Sequence, residues 1–121
     1  MVPARKLSVK DIMDAIKIYH EVILGRKIDD KEARTSAEYL KREIDYLGFS
    51  AYYLLSESKS IKLRIHTDAL VKDTAEGWGV YIDIFNADAS KEEQKETSRL
   101  KKKIEKTLIE EGFPVLKIAD F

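Results

Sequence analysis

The stretch FSAYYLLSESKSIKLRIHTDALVKDTAEGWGVYIDIF, residues 49–85, decides how this chain folds. Apolar side chains recur there with period two, which suits a strand and not a helix. The alternation predicts strands over 49–56 (FSAYYLLS), 61–67 (IKLRIHT) and 78–85 (WGVYIDIF). The polar ESKS segment, 57–60, is turn-forming, so the first two strands should pair antiparallel. With Ser56 opposite Ile61, Tyr53 comes opposite Arg64 and Leu55 opposite Lys62. In that register Tyr53, Leu55, Lys62, Arg64, His66, Tyr81, Asp83 and Phe85 share one face. Tyr52, Leu54, Leu63 and Ile65 fill the other, and Trp78, Val80, Ile82 and Ile84 alternate together on the third strand.

A face that mixes tyrosines with cations is too polar for a plain core and too aromatic for a plain solvated surface. Tyrosine and arginine dominate contact surfaces because they combine large area with directional polar groups. Tyr53, Lys62, Arg64, His66, Tyr81 and Phe85 are therefore the candidate binding residues. The plain alternative is that the N-terminal helices cover this face and bury Tyr53 and Phe85 as ordinary core.

On the N-terminal side, Ser8 and Asp11 read as a capping-box variant, followed by Ile12, Ile16, Tyr19 and Ile23 at helical spacing and by Gly25 as a stop. Asp29 and Glu32 repeat the cap, and Ala33, Ala37, Leu40, Ile44 and Leu47 form a second stripe that Gly48 closes. Residues 1–48 should thus be a helical hairpin. On the C-terminal side, Ser90 and Glu93 open a helix that Gly112 and Pro114 end, although positions 91–99 hold no apolar residue. A final strand is expected in VLKIA, 115–119, parallel to the strand that begins at Trp78. The expected fold is a single α+β domain spanning 1–121, in the order ααβββαβ.

Composition narrows the function classes. Among 121 residues, 22 are Lys or Arg and 22 are Asp or Glu, so there is no net charge to draw the chain toward a polyanion or an anionic membrane. A nucleic-acid role would need a local patch. Cysteine is absent, which excludes disulfides, thiolate nucleophiles and cysteine-ligated metals. Asn86 and Gln94 are the sole side-chain amides, and with many Lys, Glu and Ile they suggest a hot habitat. No apolar run suits a membrane span and no secretory h-region is visible, so a cytoplasmic protein is expected.

Three constellations carry possible chemistry. His66, Asp68 and Asp83 form a polar cluster if the second and third strands are neighbours, able to exchange a proton or to hold a divalent cation on Asp68 and Asp83. Lys101, Lys102 and Lys103, with Arg99 and Lys106, make a basic run, although Glu96, Glu105 and Glu110 lie around it. Gly77 and Gly79 flank Trp78 as strand-entry glycines rather than as a phosphate loop. The element order from Asp30 to Ala119 is similar to the core of the PD-(D/E)XK nucleases, in which an acid precedes a D/E-x-K strand. Here Asp68 precedes Asp83-Ile84-Phe85, with Phe85 in the place of the lysine. The resemblance implies a metal-dependent phosphodiesterase with a degenerate motif. The leading expectation is a small binding or assembly module, acting as a homo-oligomer or on a protein partner. A phosphodiesterase and a nucleic-acid-binding domain are the alternatives.

Overall fold

The computed structural model describes residues 7–47, 50–55, 60–67 and 78–116. Helices α1 (Val9–Leu24) and α2 (Asp30–Leu47) precede strands β1 (Ser50–Tyr53), β2 (Ile61–Thr67) and β3 (Trp78–Ile84), and helix α3 (Lys91–Glu110) follows. The architecture is α+β. The sheet order is β1-β2-β3, antiparallel throughout.

Helix boundaries follow local hydrogen bonding. Ser8 Oγ accepts the Asp11 N–H at 3.2 Å, while the Asp11 carboxylate accepts the Ser8 N–H at 2.9 Å. That reciprocal pair satisfies two donors that the first turn of α1 would otherwise leave open. Gly25, at φ +70°, ends α1 and donates its N–H to the Glu21 carbonyl at 2.8 Å. The left-handed conformation is cheap only without a Cβ. Asp29 caps α2 by accepting the Glu32 N–H at 3.3 Å, and Lys17 reaches from α1 to Asp30 at 2.6 Å. Ser90 caps α3 in the same way through Glu93, and Gly112, at φ +89°, turns the chain so that the Phe113 N–H meets the Leu108 carbonyl at 2.9 Å.

The hydrophobic core joins one face of the sheet to the three helices. Ile61, Leu63, Ile65, Trp78 and Val80 meet Ile12, Ile16, Tyr19, Ile104 and Leu108, all essentially excluded from water. Burying side chains of that size contributes roughly 1.5–3 kcal/mol each. Tyr19 keeps its hydroxyl satisfied there by donating to the Ile61 carbonyl at 2.5 Å. After α3 the chain returns beside β3. The Val80 N–H donates to the Pro114 carbonyl at 2.9 Å, the Leu116 N–H donates to the Val80 carbonyl at 2.8 Å, and Val115 makes a parallel bridge to Val80. Among the described residues that bridge is all that forms of the expected last strand; residues 117–119 lie outside them.

The pairing of β1 with β2 differs from the expected register by one residue. Tyr52 stands opposite Arg64 and Tyr53 opposite Leu63, where Tyr53 was expected opposite Arg64. A one-residue slip exchanges the two faces of a strand. Ala51 is consequently buried and Tyr53 packs against the core, while Tyr52 turns outward. Leu54, expected in the core, lies beyond the end of β1 and is 51% exposed. Ile84 and Leu100 are half-buried at the core margin. Residues 91–99 of α3 contribute no buried side chain, as their lack of apolar residues anticipated. That half of the helix is tied down by Gln94, whose amide donates to the carbonyls of Ala89 and Asn86 at 3.1 and 3.3 Å.

Candidate functional site

The outward face of the sheet is built around β2. Ile61, Leu63, Ile65 and Thr67 are buried on the core side, so Lys62, Arg64 and His66 must point away from it. Register supplies their neighbours. Arg64 lies between Tyr52 of β1 and Tyr81 of β3, Lys62 lies opposite Asp83, and His66 lies opposite Gly79. Phe85 follows β3 and is held at its end by an N–H bond to the Ser60 carbonyl at 3.0 Å. The helices pack on the other face.

Side-chain geometry knits these residues into one cluster. The Arg64 guanidinium lies 4.0 Å from the centre of the Tyr81 ring and 6.0 Å from that of Tyr52. The Lys62 ammonium sits 4.2 Å from the Tyr52 ring centre and 5.2 Å from that of Phe85. Each such contact is worth about 0.5–1 kcal/mol where water has access. Arg64 also forks onto Asp83, with Nε 2.9 Å from Oδ2 and Nη2 3.3 Å from Oδ1. Their side chains are only 20% and 14% exposed, so solvent screens this pair far less than an ordinary surface pair. His66 meets Tyr81 edge-on, with ring centres 5.8 Å apart.

The structure thus gathers Lys62, Arg64, His66, Tyr81, Asp83 and Phe85 on one face. It does not place Tyr53 there. That ring packs edge-on against Tyr19, with centres 5.8 Å apart, on the core side. Tyr52 occupies the position expected of Tyr53 and is 48% exposed, as is Phe85. Adjacent tyrosines defeat alternation as a guide, because either one satisfies the pattern. Leu116 is the second residue that sequence reading missed. Its side chain lies against Gly79 so closely that a Cβ there would come 2.4 Å from Leu116 Cδ1. Gly79 faces the same way as Tyr81, so Leu116 caps the His66 end of the outer face, and Gly79 is glycine because another side chain occupies its Cβ space.

The expected meeting of His66 with Asp83 does not occur. Asp83 pairs with Lys62 in register, four residues along β2 from His66, or roughly 13 Å at strand rise. Both Asp83 carboxylate oxygens are taken by Arg64. Asp68 lies outside the described residues. Among the described residues no group of three or more His, Asp or Glu side chains converges as a metal site would require. No described helix is long and apolar enough to cross a membrane. Comparison with known proteins found no matching family model, no matching curated protein and no matching solved structure.

Proposed function

We propose that this chain is a non-enzymatic assembly module whose outer sheet face binds the same face of a second copy. The observation that carries the reading is the cluster of Tyr52, Lys62, Arg64, Tyr81 and Phe85, prearranged by cation–π contacts and left uncovered by the described helices. Half-exposed rings already held by neighbouring cations lose little conformational freedom on docking, which lowers the ordering cost of association. A two-fold interface requires a self-complementary patch. This patch carries both signs of charge together with aromatic surface. The Arg64–Asp83 pair argues for a protein partner over a polyanion, because the guanidinium is already committed and the carboxylate would repel phosphate. The composition supports a cytoplasmic setting in a hot habitat: no cysteine, one asparagine and one glutamine.

Sedimentation velocity from micromolar to near-millimolar protein tests the reading. The expected result is a concentration-dependent dimer that Tyr52→Ala and Phe85→Ala each shift toward monomer. A strict monomer throughout, or association indifferent to both substitutions, removes the proposal. A melting temperature raised by Mg²⁺ or Mn²⁺, and no longer raised in Asp83→Asn, would favour the metal-dependent alternative instead.

A further inference from the structure

Helix α3 carries a second surface that the sheet face does not explain. At about 100° per residue, Lys91, Lys95, Lys102 and Lys106 fall within an arc of about 60° along one side of the helix. All four are exposed. None forms an ion pair among the described residues, whereas Arg99 is held by Glu96 and Lys101 by Glu105. The basic run read from sequence as Lys101, Lys102 and Lys103 is therefore not one surface. Lys101 turns inward to a buried glutamate, Lys103 lies outside the arc, and Lys91, Lys95, Lys102 and Lys106 form a different row. That row is about 22 Å long at 1.5 Å per residue. Its first half stands on the segment that contributes no buried side chain, so it is accessible along its length.

From this geometry we infer that the α3 lysine row binds the phosphate backbone of a double-helical nucleic acid. A chain with no net charge can hold a polyanion only where charge is locally unbalanced, and this row is such a place. A straight, rigid line of like point charges matches a rigid duplex, whose phosphates follow one another at regular intervals. No aromatic residue interrupts the row to stack unpaired bases, as single-strand binders require. No apolar face accompanies it between 91 and 99 to enter a lipid surface. Lysines without base-reading partners give sequence-independent contact.

Fluorescence anisotropy of the full chain against a labelled DNA duplex, and against one of its strands, tests the inference. Four phosphate contacts give a slope of log affinity on log salt near −3.6, or about 150-fold weaker binding between about 50 and 200 mM salt. The variant K91Q/K95Q/K102Q/K106Q should lose the duplex binding and that slope while keeping the native melting temperature, because all four side chains are exposed. The control K31Q/K103Q should retain both. Absent duplex binding at 50 mM salt, binding unchanged in the quadruple variant, tighter binding to the single strand, or binding only to phosphatidylserine vesicles would each overturn it. Tyr52→Ala and Phe85→Ala leave the row intact, so failure of self-association and failure of duplex binding are read separately.

Discussion

Truncating Tyr53 removes a ring that meets Tyr19 edge-on against the core, whereas truncating Tyr52 removes one that lies over Lys62 and faces outward. Tyr53→Ala is therefore expected to cost about 2–4 kcal/mol in urea denaturation. Tyr52→Ala should cost less than about 1 kcal/mol, the worth of an exposed cation–π contact. Equal losses would contradict the register. Asp83→Asn leaves the little-exposed Arg64 without its counter-charge and should cost about 1–3 kcal/mol. Replacing both partners, as in Arg64→Met with Asp83→Leu, should cost less than the sum of the two single changes, because an uncompensated charge hurts more than the pair helps. Strict additivity in that double-mutant cycle would mean that the fork is not formed in solution. Nothing at this scale is visible in a sequence pattern, since which of two adjacent tyrosines points inward depends on what lies across the strand.

Among the elements, the junction of β3 with the returning chain is the most sensitive to a small change. Gly79→Ala would drive a methyl group into Leu116, forcing either the side chain or the bridge at Val115 to move. A loss of about 1–3 kcal/mol in chemical denaturation is expected. Leu116→Ala should make the glycine substitution far milder. If Gly79→Ala is equally harmful with and without Leu116, the contact is not its cause. The helices were legible in advance because their signals are local: Ser8, Ser90, Gly25 and Gly112 act within one turn of themselves. The register of β1 was not, because pairing depends on a connection and on packing partners dozens of residues away, such as Tyr19 with Tyr53.

For the molecule as a whole, charge is balanced in number but tied together locally. The carboxyl of Asp30 is held below its ordinary range, first by its hydrogen bond from Lys17 and then by that ammonium's charge. Glu96 is held low by its hydrogen bond from Arg99. A carboxyl depressed in the folded state binds fewer protons there than in the unfolded chain. The stability it contributes is present above its unfolded value and is lost as pH falls through the folded one. The gap between the native chain and Lys17→Met should thus be constant near neutrality and shrink below about pH 4. Because Asp30 is exposed, high salt should also close the gap. Thermal melts across pH at two ionic strengths check both expectations, and a gap that widens on acidification would contradict the pairing.

By itself the sequence determined the α+β class, the helix limits and which residues of β2 and β3 share a face, because caps and period-two alternation act over a few residues and need no partner; which of the two faces the helices cover was decided by tertiary packing. Tertiary structure decided that Tyr52 rather than Tyr53 joins the cations, that Arg64 and not His66 holds Asp83, and that Leu116 closes over Gly79. Those outcomes rest on register and on packing between distant segments, where a shift of one residue, about 3.3 Å of strand, exchanges the inside for the outside.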